Sequence, residues 1–342
     1  MPTYKDAGVD IHAADDAKKI FQKSLDRGDP RVLNSVGAFA SLVQGKFDGY
    51  EDPVLVLKTE EPGSKQKLAF GHGYIPSICF DTVNHLINDI AVMGAFPLYV
   101  QDAIICGKLE KAMVVKIVDG FAKACEEQGC ALVGGETSEQ PGVLEPGTYI
   151  LVANIVGIVE RSKIIDGSKI AEGDLVLGLA SHGLHTNGFS LVRSLLAKHP
   201  SLLQEKIDGE PFLSALMKPH RCYLSVLKDL FSHTGIHGMA HITGGGIGGN
   251  LNRILPPNLN AEIDLSTIDI PTIFKRLREI GSVPDDDMLR TFNIGIGLTL
   301  VVDPDAVSEI QMHLASHHVN SSIIGIIEKG EQKVTFKGAL RY

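Results

Sequence analysis

The sequence lacks the features that are typical of membrane-bound, secreted and nucleic-acid-binding proteins. None of its apolar runs reaches the length of about 18 residues that a membrane-spanning helix needs. The polar N-terminal stretch has no apolar core of the kind found in a signal peptide. Lys and Arg number 32 against 41 Asp and Glu, and the resulting net charge of −9 argues against nucleic-acid and membrane partners.

Cysteine is also scarce and is not arranged in pairs. The five cysteines are an odd number, and no Cys-x-x-Cys pair occurs among them. A disulfide framework and a cysteine-type zinc site are therefore not expected. The thiols are interpreted as core residues of a protein from a reducing compartment, and the cytoplasm is the expected location.

The chain length and the alternation of strands and helices predict two domains of the α/β or α+β class. The 342 residues exceed one ordinary core, and the polar segment 166–174 gives a boundary between residues 1–168 and 169–342. Before this boundary we predict strands at 54–58, 98–105, 130–134 and 149–159, and helices at 80–94 and 111–128. After it, the main predictions are a strand at 175–180 and helices at 189–198, 213–232, 271–280 and 305–317.

Acidic residues lie where apolar elements end. Asp89 follows Asn88 late in a predicted helix, Asp102 interrupts an apolar strand, and Glu136 follows two glycines after another strand. Mg²⁺ takes a few carboxylates together with waters and substrate phosphates, so these acids could converge on one ion. Each acid taken singly is more often a helix cap or a solvated charge, and the spacing alone does not show that the acids converge.

Three polar or glycine-rich turns could bind phosphate. Ser181–Ser190 joins a strand to a helix, where backbone N–H groups bind anions, and its His185 could act as an acid or base. His241–Asn250 is glycine-rich but is neither a Walker A nor a Rossmann motif. Thr59–Lys65 ends in Gly63, Ser64 and Lys65 after the first strand. An ordinary N-capped turn and a solvated loop explain the first and the last segments without any ligand.

Taken together, these segments resemble the aminoimidazole ribonucleotide synthetases, or phosphoribosylformylglycinamidine cyclo-ligases, in order and spacing over nearly the whole chain. Glycine, of which the chain has 36 residues, is prominent in most of the matching motifs. The segments that carry the resemblance are Tyr4–Ile11, Gly134-Gly135-Glu136-Thr137 with Pro141-Gly142, Ser181–Ser190, Ala240–Gly246, and Arg290–Asn293 with Gly295 and Gly297.

The resemblance implies an enzyme of purine synthesis that uses ATP and Mg²⁺. In this family the formamide oxygen of formylglycinamidine ribonucleotide is phosphorylated, the amidine nitrogen attacks the activated carbon, and phosphate leaves. The resemblance also implies an N-terminal α/β domain whose strands form a homodimer beside the ATP groove. The C-terminal domain is expected to be a ferredoxin-like α+β unit of the same family.

Roles are carried over by position from the family motifs. As metal ligands the resemblance implies Glu60, Asp89, Asp102 and Glu136. As ATP and phosphate contacts it implies Thr59, Glu60, Gly63, Ser64, Lys65, Asn88, Asp89, Gly135, Glu136 and Thr137. As substrate contacts it implies Ser181, His185, Thr186, Asn187, His241, Thr243, Gly244, Gly245 and Gly246. The catalytic candidates are Lys65, Asp102 and His185, with His185 the first choice for proton transfer.

The first nucleotide loop departs from the family pattern. The family usually has Thr-Asp-Gly-Val-Gly-Thr-Lys-Leu, whereas Thr59–Gln66 is Thr-Glu-Glu-Pro-Gly-Ser-Lys-Gln. Glu61 adds a charge in place of glycine, and Pro62 removes a backbone donor. Ile75–Cys79 also lacks the usual histidine and glycine of the family, and Asn84-His85 replaces a small apolar pair.

Three hypotheses follow from the preserved motifs and the altered loop. The first is an active cyclo-ligase with a remodelled ATP loop. The second is a paralogue that has lost or changed its ATP chemistry and serves as a ligand-binding or regulatory protein. The third is a small-molecule kinase of the same fold, which would leave a stable phosphorylated product.

Overall fold

The computed structural model describes residues 28–34 and 40–342, so the motif at Tyr4–Ile11 lies outside the described residues. The chain divides into two compact units. The first contains the residues up to Ile90 together with Ala95–Arg161, and the second contains Ala91–Gly94 together with Ser162–Tyr342. No helix within the described ranges has the length and apolar character needed to cross a membrane. No disulfide joins any of the five cysteines.

The first unit is built on a four-stranded sheet with the order β1-β4-β2-β3. The pairs β1–β4 and β2–β4 are antiparallel, and β2–β3 is parallel. The strands are β1 (Pro53–Glu60), β2 (Phe96–Cys106), β3 (Ala131–Glu139) and β4 (Tyr149–Glu160). The helices are α1 (Lys65–His72), α2 (Ile75–Ala91) and α3 (Lys111–Glu127).

The two faces of this sheet differ because side chains alternate along each strand. On β4, Leu151, Ala153 and Ile155 are buried, whereas Asn154 between them is exposed. Helices α2 and α3 supply apolar side chains to the same core and approach each other closely. A Cβ at Gly120 of α3 would come 2.8 Å from the Cys79 sulfur of α2, so glycine permits this contact.

The other face of the sheet carries exposed apolar side chains on the edge strand β1. Leu55 is 51% exposed and Leu57 is 71% exposed. Both alternate with Val54, Val56 and Lys58, which lie on the covered face. In the described chain, β1 has a hydrogen-bonded neighbour on one side only, namely β4.

The second unit is built on a six-stranded sheet with the order β12-β9-β11-β5-β10-β8 and a short separate β6–β7 hairpin. Its sheet is antiparallel except for β9–β12. The strands are β5 (Leu175–Ala180), β6 (Lys206–Ile207), β7 (Glu210–Pro211), β8 (Ile236–His241), β9 (Leu259–Asp264), β10 (Ile296–Val302), β11 (Ser321–Lys329) and β12 (Val334–Lys337). The helices are α4 (Phe189–Lys198), α5 (Phe212–Leu216), α6 (Leu224–Leu227), α7 (Gly246–Leu251), α8 (Thr272–Gly281), α9 (Asp285–Thr291) and α10 (Val307–Ser316).

The mixed α/β class predicted from the sequence is confirmed, but the long helix predicted at 213–232 is wrong. The structure has two short helices there, α5 and α6, followed by a 3-10 helix at Lys228–Leu230. The break contains Pro219, which lacks a backbone donor and disfavours helical backbone in the residue before it. The short helices α1 and α9 are not among the sequence predictions.

Candidate functional site

Three of the four predicted metal ligands lie on the covered face of the first sheet or on the helix that packs there. Glu60 and Asp102 both pair with Ala153, from opposite sides, and Asp102 also pairs with Gly135. These residues therefore form one row across the sheet, with the Glu60 and Asp102 Cα atoms about 10 Å apart at the usual strand spacing.

Asp102 is a buried carboxyl group in this row. Burial raises its pKa to about 7, while a backbone hydrogen bond works in the opposite direction. A Cβ at Gly135 would collide with the Asp102 carbonyl oxygen and carboxylate, so only glycine fits beside this side chain. Burial therefore favours the protonated, uncharged form of this carboxyl group.

Glu60 and Asp89 already bind a positive charge. The Lys58 ammonium lies 3.1 Å from a carboxylate oxygen of each. The His85 Nε2 is 3.6 Å from Asp89 and 3.8 Å from Glu60. The pKa of Lys58 is raised by these carboxylates, against the opposing effect of its burial. Asn88, adjacent on α2, is fully buried.

Lys65 lies in the interior and not on an open loop. Its ammonium is 2.9 Å and 2.8 Å from the two carboxylate oxygens of Asp81, and neither side chain is exposed. Burial lowers the pKa of Lys65, and Asp81 opposes that effect. In this arrangement the amine does not reach a phosphate in solution, so the phosphate contact of Lys65 stays a prediction.

The remaining residues predicted to contact ATP lie away from the row that contains Glu60 and Asp102. By strand alternation Glu136 points away from the face that holds Asp102, because its neighbour on β2 is Ala103. Its carboxylate accepts the Thr137 N–H at 2.8 Å. On the same open face, the Thr59 hydroxyl donates to the Asn154 side-chain oxygen. The turn between β1 and α1 contains Gly63, whose backbone is left-handed with φ 60°, and Ser64 at the helix start.

In the second unit, three buried histidines form a cluster. His185 is in the turn between β5 and α4, His241 ends β8, and His220 is in the break between α5 and α6. The His185 and His220 rings stack with their centroids 3.9 Å apart. The Nε2 atoms of His220 and His241 are 2.8 Å apart, so one of them donates a hydrogen bond to the other.

The backbone fixes the tautomer of His185. The His182 N–H donates to its Nε2 at 3.0 Å, and the Arg221 N–H lies 3.5 Å from the same atom. A nitrogen that accepts a hydrogen bond carries no proton, so the neutral ring has its proton on Nδ1. His185 has a left-handed backbone with φ 61°, and a Cβ at Gly297 would come 2.6 Å from its ring.

His220 belongs to none of the sequence motifs described above. It lies within the range predicted as one helix, and Pro219 before it is the signal that the helix is interrupted. The same break supplies Tyr223, whose hydroxyl donates to the Ala180 carbonyl at 2.8 Å, and Arg221, which donates to that carbonyl at 3.2 Å. The break therefore holds the end of β5, from which the His185 turn begins.

Ser181 and Asn293 brace the His185 turn. The Ser181 hydroxyl donates to the Gly183 carbonyl at 2.9 Å and lies 3.2 Å from the Asn293 side-chain oxygen. Asn293 donates to the same carbonyl at 2.9 Å and accepts the Gly295 N–H at 2.8 Å. Thr186 is buried in the turn. Ser181 therefore has a clear structural role, and its substrate contact stays a prediction.

The glycine-rich turn after β8 meets the His185 turn. A Cβ at Gly244 would be 3.2 Å from the Asn187 side-chain oxygen. Asn250 donates to the carbonyls of Gly246 at 2.8 Å, Gly244 at 3.2 Å and Thr243 at 3.3 Å. Gly245 continues this turn with left-handed backbone at φ 93°. The structure thus brings the two motifs predicted to bind substrate together within the second unit.

Both units match known family models. Residues 51–159 match the model described as AIR synthase related protein, N-terminal domain. Residues 171–337 match the model of the C-terminal domain of the same family.

The chain is also similar to curated proteins over most of its length. It is 42% identical to a phosphoribosylformylglycinamidine cyclo-ligase of Carboxydothermus hydrogenoformans, over 97% of this chain and 98% of that protein. It is 46% identical to a protein of the same name from Burkholderia cenocepacia, with coverage of 89% and 88%.

Solved structures share the fold at low identity. The thiamine-monophosphate kinase of Stenotrophomonas maltophilia K279a is 20% identical with a TM-score of 0.68, covering 96% of this chain and 97% of that chain. A hydrogenase maturation protein HypE solved in complex with ATP is 16% identical with a TM-score of 0.67, covering 92% and 88%. At these identities the likeness establishes the fold alone.

Proposed function

This chain belongs to the phosphoribosylformylglycinamidine cyclo-ligases of the AIR synthase related family, and we propose that it closes the imidazole ring of 5-aminoimidazole ribonucleotide at the expense of ATP. The observation that carries this function is the 42% identity to a cyclo-ligase over 97% of the chain, across both domains. This similarity favours the cyclo-ligase over a ligand-binding paralogue or a kinase.

The reaction requires activation of an oxygen and loss of a proton. ATP phosphorylates the formamide oxygen of formylglycinamidine ribonucleotide, which converts a poor leaving group into phosphate. The amidine nitrogen forms the new C–N bond, the C–O bond breaks, and one proton leaves the nitrogen. The protein must therefore hold the two reactants together and accept that proton.

We assign the proton acceptor to the His220–His241 pair. The hydrogen bond between the His220 and His241 Nε2 atoms lets a proton added to one imidazole be shared with the other. His185 is less suited as a base, because its Nε2 already accepts a backbone N–H and its Nδ1 carries the proton. The substrate contact of His185 stays a prediction.

Glu60 and Asp89 fit a Mg²⁺ ion, with Asp102 on the same face of the sheet. Carboxylate oxygens are the ligands that Mg²⁺ prefers, and this pair already holds a cation in the form of the Lys58 ammonium. Bound Mg²⁺ would neutralise charge on the ATP phosphates. In this proposal Lys58 moves away from the two carboxylates, where its charge is free to contact the nucleotide.

We also propose a homodimer formed through the open face of the first sheet. Leu55 and Leu57 are exposed apolar side chains on the edge strand β1, and such edges are usually covered in folded proteins. Leu57→Lys is expected to give a monomer by light scattering after size exclusion. Val143→Lys, at a residue that is 76% exposed elsewhere in the unit, is the matched control. A dimeric Leu57→Lys protein would contradict this interface.

We also propose that the protein acts in the cytoplasm, because its five cysteines form no disulfide framework.

Product analysis with purified protein, ATP, Mg²⁺ and formylglycinamidine ribonucleotide tests the function. We expect ADP, free phosphate and the cyclised product in equal amounts, with no phosphate release when the ribonucleotide is omitted. A stable phosphorylated product would identify a kinase. Tight ribonucleotide binding without substrate-dependent phosphate release would identify a non-catalytic paralogue.

A further inference from the structure

A second group of histidines lies at the end of α10 in the second unit. His313 is in the last turn of this helix, His317 follows its end, and Asp229 comes from the 3-10 helix at Lys228–Leu230. One potential ligand atom from each side chain lies within 4.8 Å of the other two. The group is separate from the residues assigned to ring closure.

The spacing of the two imidazoles suits a tetrahedral metal ion. Histidines four residues apart lie on the same face of a helix. The ring centroids of His313 and His317 are 4.7 Å apart, with 45° between the planes. An ion with metal–nitrogen bonds of about 2.0–2.1 Å in tetrahedral geometry places two such centroids about 5 Å apart. Small side-chain rotations therefore bring both rings into position.

The surroundings of His313 orient it as a metal ligand. Its Nε2 lies 2.8 Å from the Val226 carbonyl oxygen. A carbonyl cannot donate, so Nε2 carries the proton and Nδ1 holds the lone pair that binds a metal. Histidine ligands of metals commonly donate their other N–H to a backbone carbonyl in this way. Val226 and Asp229 are in the same segment, which therefore both orients one ligand and supplies another.

The end of the helix also favours a cation. Helix α10 has 10 residues and ends at Ser316, so His317 lies where the last backbone carbonyls give a partial negative charge. Asp229 adds a full negative charge. Two imidazoles and one carboxylate suit Zn²⁺ and similar transition metals, whereas Mg²⁺ prefers oxygen ligands alone.

We propose that Asp229, His313 and His317 form a binding site for a divalent transition-metal ion such as Zn²⁺. The ion joins the end of α10 to the 3-10 helix and keeps at least one position open to water, because two of the three ligands are exposed. This site does not depend on the proposed ring-closing activity.

The buried cluster of His185, His220 and His241 does not suit a metal in the same way. The first two rings stack at 3.9 Å and 25°, closer and more parallel than two ligands of one tetrahedral ion. The His185 Nε2 accepts a backbone N–H, so its other nitrogen carries the proton. The two clusters therefore give opposite expectations for metal binding.

Calorimetric titration of the untagged, metal-free full chain with Zn²⁺ tests the site. We expect one ion per chain with micromolar affinity, and a higher unfolding temperature when Zn²⁺ is present, because the ion binds the folded state. His317→Ala should weaken binding at least tenfold, and Asp229→Asn by a smaller factor. His199→Ala, which removes an exposed histidine elsewhere in the unit, should leave the affinity unchanged.

Co²⁺ provides a second readout, because its visible absorption reports nitrogen ligands and tetrahedral geometry. That spectrum should persist in His220→Gln and disappear in His317→Ala. Absence of Zn²⁺ binding in the micromolar range would overturn the proposal. Binding that survives both His313→Ala and His317→Ala, or that is lost in His220→Gln, would also overturn it. Ring-closing activity is measured separately, so its loss or retention does not affect this result.

Discussion

Around the candidate residues of the first unit, charged side chains neutralise one another, whereas around those of the second unit side chains are fixed by hydrogen bonds. Lys58 binds Glu60 and Asp89, and Lys65 binds Asp81. These pairs must exchange partners before they can bind a charged ligand, and such exchanges depend on pH and metal concentration. The His185 turn is instead held by backbone contacts before any ligand arrives. The comparison indicates that the predicted nucleotide side must rearrange, whereas the predicted substrate side is preorganised.

The largest effect is expected at the ion pair Lys65–Asp81, because both of its charged side chains are fully buried. Lys65→Met leaves the Asp81 carboxylate buried without its ammonium partner, and the free energy of unfolding should fall by about 3–5 kcal/mol. Chemical denaturation measures this change. The double variant Lys65→Met/Asp81→Leu should recover much of the loss. A single variant as stable as the parent would show that Lys65 is held for binding rather than for folding.

Substitutions in the buried histidine cluster of the second unit should lower turnover and leave the stability of the fold unchanged. His241→Gln keeps a polar side chain but removes the base, so kcat should fall about 100- to 1,000-fold. His220→Leu acts through its neighbour, and we expect about a tenfold loss with a shifted pH profile. ATP binding, measured by calorimetry, should be unchanged in both. An unchanged kcat in His241→Gln would exclude the pair as proton acceptor.

Asp102 should make stability depend on pH. Its folded pKa of about 7 lies above the unfolded value of about 4, so the folded protein holds a proton that the unfolded chain has released. Stability from this group is therefore lost as pH rises from about 4 through 7. Asp102→Asn does not ionise, and its stability relative to the parent should increase by about 2–4 kcal/mol between pH 4 and 8. Parallel stability profiles for the two proteins would contradict this assignment.

The smallest effect concerns the competition between Lys58 and Mg²⁺. Lys58→Gln removes the ammonium that lies between Glu60 and Asp89, so Mg²⁺ should bind severalfold more tightly without ATP. Direct Mg²⁺ titration measures the change, and Lys46→Gln, at an exposed lysine of the same unit, is the control. Weaker Mg²⁺ binding in Lys58→Gln would place the ion elsewhere.

Local patterns predict much of the fold. The helix at 111–127 and the strand at 175–180 follow from apolar periodicity, and their observed bounds agree within one residue. The helix at 213–232 fails because Pro219 breaks the helical backbone within an apolar run. Motif order predicts that the turns of His185 and His241 belong together, as the structure shows.

Other parts of the site depend on three-dimensional neighbours that the sequence does not reveal. Lys65 follows a glycine and a serine, as a phosphate-binding lysine often does, but Asp81 lies 16 positions later and binds it in the interior. Our proposal places the base at His220 and His241 and not at His185 because of a backbone N–H donor, which has no signature in residue types. His220 joins the cluster through a helix break rather than a recognisable motif.

The short segment Ala91–Gly94 limits how this chain can be dissected. It belongs to the second unit although both flanking stretches belong to the first, and the Ile165 N–H donates to the Met93 carbonyl. A fragment ending at Arg161 would carry these four residues without the backbone that pairs with them. Fragment complementation or domain exchange would therefore need junctions on both sides of Ala91–Gly94 in addition to the one after Arg161. A single cut after Arg161 would separate the Met93 carbonyl from the Ile165 N–H that donates to it.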